Sequence, residues 1–239
     1  MVKEKLMKVL LCPLPERRSK NELHELLRFV DEDKRRNVQR LFRLEDAYRS
    51  LIGELIVRME CRHVQSLSNQ HVGVQRNEFG KPYIRGCPAF HFNISHSGNW
   101  IAAVVDDHPA GIDIEKILPL DREFMARVLT KTEGQQQCGS RRPLEYFYEV
   151  WTAKESYLKA TGKGLYVPME SITIERLSID TYQVNDLTNG KKSFGKLCQI
   201  DKQHKLAVTS IDHQFNLQIN RLSFPELIAQ FQKQDEFTT

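Results

Sequence analysis

The stretch from Gly111 to Lys159 constrains this chain more than any other. It opens with Gly-Ile-Asp-Ile-Glu at 111 to 115 and closes with Trp-Thr-Ala-Lys-Glu-Ser-Tyr-Leu-Lys at 151 to 159. The first piece alternates apolar and acidic residues at period 2. As a strand it sends Ile112 and Ile114 into a core and leaves Asp113 and Glu115 together on the other face. The second piece has helical spacing: Trp151, Tyr157 and Leu158 pack, while Glu155 and Lys159, four apart, share a side. Three carboxylates beside Lys154 and Lys159 form a set suited to Mg2+ and phosphate, because Mg2+ prefers carboxylates plus substrate oxygens and lysine meets phosphate as a point charge. The same local pattern also describes an ordinary solvated face.

At 239 residues the chain holds one large core or two small domains. A net charge of +4, 35 basic against 31 acidic residues, is too dispersed to argue for nucleic acid. Five cysteines lie far apart with no metal-knuckle spacing, which fits a reduced compartment. The apolar run Leu6 to Leu11 is broken by Lys8 and reads as a first strand, not a signal peptide. No apolar run reaches membrane-spanning length. The expectation is a cytoplasmic protein with no membrane and no nucleic-acid partner.

In order, Lys8 to Cys12 predicts a strand. Ser19 with Glu22 predicts a capped helix carrying Leu23, Leu26, Leu27 and Val30. Lys34, Arg35 and Arg36 follow in a charge run that reads equally as a solvated face. A long helix from Leu44 to His63 keeps a 3.6-residue period despite Gly53, which points to close helix packing or a tolerated fault. Gly80 and Pro82 hold Lys81 in a turn. Phe90 to Ile94 alternates as a strand, and a hairpin through Gly98-Asn99 leads to a second strand at Trp100 to Val105. His96, between two serines, reads as a hydrogen-bonded structural residue, a phosphate donor or a base. Asp121 to Leu129 and a cap at Thr130 to Glu133 predict helices; Gln135 to Arg142 reads as a mobile polar connection, and Pro143 opens the helix bearing Glu155. Gly162-Lys163-Gly164-Leu165 lacks Walker spacing and reads as a C-cap and turn or a weak nucleotide signal. Strands follow at Ile172 to Leu177, Thr181 to Leu187, Ser193 to Ile200 and Leu206 to Ser210, then Phe215 to Ile219 and a last helix around Pro225 to Phe231. Element order therefore repeats once on each side of residue 110, predicting an α/β (α+β) fold in an N-terminal half, 1–109, and a C-terminal half, 110–239, that carries the acidic site.

Gly111-Ile-Asp-Ile-Glu115 with Trp151-Thr-Ala-Lys-Glu-Ser-Tyr-Leu-Lys159 resembles the signature pair of the 4'-phosphopantetheinyl transferases. Glu45-Asp-Ala-Tyr-Arg49, Gly80-Lys-Pro82, Phe92-Asn-Ile-Ser-His-Ser97 and Phe147-Tyr-Glu-Val-Trp151 resemble the surfactin-synthetase-activating subgroup, over roughly Asp33 to Val167. The resemblance implies two similar α/β halves about a pseudo-twofold axis in a monomer, with coenzyme A in the cleft between them. It implies transfer of phosphopantetheine from coenzyme A to a carrier-protein serine, releasing 3',5'-ADP, with peptidyl carrier domains of nonribosomal peptide synthetases and acyl carrier proteins as partners. By the same resemblance Asp113, Glu115 and Glu155 hold Mg2+, Lys154 and Lys159 meet the diphosphate, His96 with Lys34 meets the 3'-phosphate, and Ser95 with the Gly80-Lys81-Pro82 turn lines the adenine end. The subgroup commonly has a second basic residue where this chain has Asn37; Arg36 or Arg40 would then compensate.

The residue chemistry fits that reaction. Charge added to the departing phosphate calls for a cation and lysine, and Glu155, directly or through a metal-bound water, is the preferred acceptor of the serine proton, with His96 second. Glu155, Lys154, Lys159 and Asp113 are thus the catalytic candidates. The segment Thr132 to Arg142, with Arg141 and Arg142, is the candidate surface for an acidic carrier helix. A Mg2+-dependent nuclease and a non-catalytic carrier-binding module are the competing readings.

Overall fold

The computed structural model describes residues 6–162, 167–211 and 215–235. Lys163, Gly164 and Leu165 of the glycine-flanked turn lie outside the described residues; Gly162 is the left-handed C-cap of the helix before it.

The chain runs β1 (Leu6–Pro13), α1 (Lys20–Leu26), α2 (Glu32–Gln39), α3 (Leu44–Gln65), β2 (Val74–Arg76), β3 (Pro82–Ile84), β4 (His91–Ser97), β5 (Trp100–Asp106) and β6 (Ala110–Lys116). It continues through α4 (Arg122–Val128), α5 (Lys131–Gly139), α6 (Pro143–Thr161), β7 (Ile172–Arg176), β8 (Thr181–Asp186), β9 (Lys191–Cys198), β10 (His204–Ser210), β11 (Asn216–Arg221) and α7 (Phe224–Asp235). Two sheets result, ordered β11-β1-β5-β4 and β6-β10-β9-β8-β7, with β2 and β3 as a separate hairpin.

Side-chain alternation stacks these elements into layers. Leu10 and Cys12 of β1, with Ile101 and Ala103 of β5, face Leu51, Ile52 and Leu55 of α3. Met7, Val9, Leu11, Ala102 and Val104, on the opposite face, meet Ile112, Ile114, Leu206 and Val208 of the second sheet. The far side of that sheet is covered by Ala153, Tyr157 and Leu158 of α6. The order is helix, sheet, sheet, helix. Ile112 and Ile114 lie in the inter-sheet core as their alternation with Asp113 and Glu115 requires.

Two expectations change. Gln135 to Gly139 form the body of α5, because Thr130 and Glu133 make a complete capping box that starts the helix; the connection shrinks to Ser140 to Arg142. The last strand and helix, expected in the half 110–239, pack with the first sheet. Strand β11 pairs in parallel with β1, Leu6 opposite Asn216 through Leu11 opposite Arg221, and Phe231 of α7 stacks at 5.2 Å on Phe29. The otherwise open edge of β1 and the flank of α3 are covered by these pieces. We therefore propose residue 110 as the junction of the halves, with β11 and α7 assigned to the first by packing.

Candidate active site

The site lies where the edge strand β4 of one sheet meets the edge strand β6 of the other. Side chains at alternate positions of β4 satisfy the backbone of β6: Asn93 Oδ1 accepts from Ile112 N (3.0 Å), Ser95 Oγ from Ile114 N (3.3 Å) and Ser97 Oγ from Lys116 N (3.0 Å). The hydroxyls then orient the acids between those amides. Ser95 donates to Asp113 Oδ1 and Ser97 to Glu115 Oε2, each at 2.9 Å. One seam thus joins the sheets and aims both carboxylates.

Helix α6 supplies the opposite wall. It crosses β6 at Gly111, where a Cβ would stand 2.0 Å from the Ser156 carbonyl oxygen and 2.4 Å from Ala160 N. Only glycine permits that approach, and it brings the face bearing Glu155 and Lys159 over Asp113. Lys159 Nζ lies 2.5 Å from Asp113 Oδ1 and donates to Ser95 Oγ at 3.0 Å. The resulting cleft of 320 Å³ is lined by Ser95, His96, Asp113, Glu115, Trp151, Glu155 and Lys159. Trp151 is held edge-on by Phe124 (5.2 Å).

The cleft is short of positive charge. Burial, then the Asp113 charge, pushes the Glu115 carboxyl up to about 7. Glu155 is raised by the same two causes, opposed by Lys159 and a hydrogen bond from Trp151. Asp113 Oδ2 is buried with no hydrogen-bond partner among the described residues. Orphaned and crowded carboxylate oxygens beside one ammonium form a hard-donor set suited to a divalent cation. Among the described residues, a different group, Asp106, Asp107 and His108 at the end of β5 and the turn to β6, already has its donor atoms within 4.8 Å of one another. Asp106 in that acidic and histidine cluster is buried, and the cluster lies outside the cleft lining.

His96 stands at the exposed rim. Desolvation in the cleft, then Arg49 and Lys159, holds its pKa below the ordinary value. Arg49 donates twice to Gly98 O, at 3.0 and 2.8 Å, and so fixes the hairpin that presents His96.

Other candidates fall elsewhere. Lys154 does not enter the cleft. It is fully buried, and its ammonium donates to Val128 O (2.7 Å), Glu133 Oε2 (2.7 Å) and Met169 O (3.0 Å). All three of its donors are used inside the protein, so the expectation of a diphosphate contact is corrected. Consecutive helix residues point about 100° apart, and the charge of Lys154 needed the partner that Glu133 provides. Lys34 pairs with Glu54 at 3.3 Å. Lys81 donates to Ala160 O at 2.8 Å and so caps the C-terminal end of α6, with burial holding its pKa down to about 8; Pro82 follows it at the start of β3. Arg36 bonds Asp33 on its own helix, and Arg40 is exposed at that helix's end; neither lines the cleft. Ser97, Gly111 and Arg49 carry roles that were not assigned from the sequence. Alternation of Asn93, Ser95 and Ser97 along one strand was the available signal for the first.

Comparison with known proteins adds independent findings. Residues 109–209 match a family model described as the 4'-phosphopantetheinyl transferase superfamily, and residues 17–108 match one described as 4'-phosphopantetheinyl transferase, N-terminal. The 4'-phosphopantetheinyl transferase Sfp of Bacillus subtilis (strain 168) is 34% identical over 213 residues, covering 88% of this chain and 95% of that protein. The 4'-phosphopantetheinyl transferase gsp of Aneurinibacillus migulanus is 34% identical over 178 residues, 74% of each. Family models over both halves, and relatives matched along most of their own length, agree with a cleft built at the junction of those halves: this chain belongs to the 4'-phosphopantetheinyl transferase family.

Proposed function

We propose that this enzyme transfers the 4'-phosphopantetheine of coenzyme A to a serine of an apo carrier protein, releasing adenosine 3',5'-bisphosphate, with Mg2+ held by Asp113, Glu115 and Glu155. The observation that carries the ion assignment is the buried, unpartnered Asp113 Oδ2 beside two carboxyls whose pKa values are raised. Mg2+ bound there would supply positive charge across the diphosphate and to the leaving oxygens.

The chain's own residues divide the remaining work. Lys159, bonded to Asp113 and Ser95, brings an ammonium to the diphosphate from the helix side. The serine oxygen bonds to the phosphorus nearer the pantetheine, the bond from that phosphorus to the bridging oxygen breaks, and the serine proton goes to the Glu155 carboxylate. Burial and the Asp113 charge raise the Glu155 pKa, which makes its carboxylate a better proton acceptor than a solvated one. His96 on its Arg49-clamped hairpin, with Lys34, reads the 3'-phosphate, and Ser95 and the turn at Lys81 and Pro82 border the adenine end. Peptidyl carrier domains of nonribosomal peptide synthetases are the natural substrates, and acyl carrier proteins are accepted. No helix among the described residues is long and apolar enough to cross a membrane; with five free cysteines this supports a cytoplasmic enzyme.

Mass spectrometry of an apo carrier incubated with the protein, coenzyme A and Mg2+ tests this reading. A phosphopantetheine-sized gain is expected, reduced at least about 10²-fold in D113A, E115A and E155A that remain folded. No gain with wild type, or normal rates in all three variants, would overturn it.

A further inference from the structure

The buried socket of Lys154 joins several elements beside the cleft. Its three hydrogen bonds reach the end of α4 at Val128, the first turn of α5 at Glu133 and the turn before β7 at Met169. Glu133, itself 2% exposed, accepts with its other contacts from Thr130 N at 2.8 Å and Ile174 N at 2.9 Å. Directly or through Glu133, three segments, the end of α4, the start of α5 and the chain entering β7, are therefore bolted to the residue immediately before Glu155.

We propose that Lys154 and Glu133 form a positioning pair that sets the roll of α6 about its own axis, and through it the placement of Glu155 and Lys159, without touching substrate. This rests on the reaction proposed above. The argument is geometric. At a side-chain radius of about 5–6 Å, a roll of 10° moves a carboxylate by about 1 Å. Displacements of that size cost up to about 10²-fold in rate. On the cleft side α6 is held by packing on Gly111 and by Lys159, and over the second sheet by Ser156 to Thr209 (2.6 Å) and Tyr157 to Asp186 (2.8 Å); the Lys154 ammonium adds the fixed point that ties the helix to α4 and α5. An unpaired ion at either position would be a buried uncompensated charge, so each partner needs the other.

A double-mutant cycle with kinetics tests this. Lys154→Met keeps the stem's volume but leaves the Glu133 charge alone; Glu133→Gln then removes that charge while keeping an acceptor for the backbone amides. The expected result is a fall in kcat of about 10- to 100-fold in K154M, with KM for coenzyme A within about twofold, and a kcat that stays low in K154M/E133Q even as stability returns, because the socket that sets the roll is missing from both. Should K154M fail to fold, the double variant alone decides by the same split between kcat and KM. Wild-type kcat in a folded double variant would reduce the pair to a stabilising contact, and a tenfold loss of coenzyme A affinity would put Lys154 against substrate; either would overturn the proposal. Melting temperatures of the same proteins read the pair without turnover: a drop in K154M that E133Q reverses is expected, and no drop would count against the pair whatever the carrier assay shows.

Discussion

The two long helices that sandwich the molecule pair their buried charges by one rule, and the cleft beside α6 departs from it. On α3, Glu54 is bonded to Arg58 at 2.9 Å and paired with Lys34, Arg58 also reaches Asp31 and Val72 O, and Glu60 takes Lys8 at 2.6 Å. On α6, Lys154 with Glu133, and Glu145 and Glu149 sharing Lys205, follow the same rule. At the cleft it fails: Asp113, Glu115 and Glu155 converge on Lys159. Where every carboxylate has its own cation the charges serve architecture; where cations run short, the surplus negative potential becomes a place for a cation and a phosphorylated ligand to bind.

Each helix–sheet contact also holds a glycine, on the strand under α6 and within α3 itself, and the largest predicted difference lies there. G111A places a Cβ against the backbone of α6, which cannot give way locally, and should cost more than about 4 kcal/mol, lowering soluble yield and abolishing transfer. In α3, G53A meets a methyl of Ile94 at 2.7 Å, a side chain that can shift, so about 1–3 kcal/mol of strain is offset by about 1 kcal/mol of helix propensity. Urea denaturation compares the two; equal losses would show that the approach of α6 to β6 is no tighter than that of α3 to its sheet.

The next contrast concerns sign. E54Q should destabilise by about 3 kcal/mol, because Arg58 and Lys34 lose their buried partner. E115Q should do the reverse in metal-free protein. The folded-state pKa of Glu115 is raised from 4.5 to about 7, so folding favours the protonated form; its contribution is full below 4.5 and is lost as pH rises through about 7. Melting temperatures in chelator should therefore decline with pH across that window in wild type and decline less in E115Q, while transfer by E115Q is lost. An E115Q melting profile parallel to wild type would remove Glu115 as the source of the slope.

The smallest effect is expected at the surface. Arg141 and Arg142 are exposed, and the Arg142 guanidinium meets Glu145 at 3.5 Å. Replacing both with alanine should leave stability within about 0.5 kcal/mol and coenzyme A KM unchanged, yet raise carrier KM by about two- to fivefold and flatten its salt dependence. Weakened coenzyme A binding with an unchanged carrier profile would put these arginines on the nucleotide side.

Periodicity made most elements and the acidic strand legible, because Ile112 and Ile114 versus Asp113 and Glu115 need no knowledge of neighbours to be sorted. The helical pairing of Glu155 with Lys159 was legible for the same reason. The direction of Lys154 was not: adjacent to a cleft residue in sequence, it is turned by tertiary packing toward a glutamate 21 positions away. The helicity of Gln135 to Gly139 was missed because polar composition outweighed the capping box at its start. The seam of Asn93, Ser95 and Ser97 depends on which strand edge lies opposite, and pairings between sheets leave no periodic trace. Likewise the return of β11 to β1 is a contact across some 200 residues that local pattern does not encode.

That return has a consequence for synthesis. As the chain leaves the ribosome, β1 appears some 200 residues before β11, so one of its two edges stays without a partner until Arg221 has emerged. A nascent chain stalled before that point would present an unpaired apolar strand, a template for association with other chains. Native assembly of the first sheet is thus deferred until α6 and the whole second sheet are available, so a translation product cut short in the second half would lack a finished first half as well.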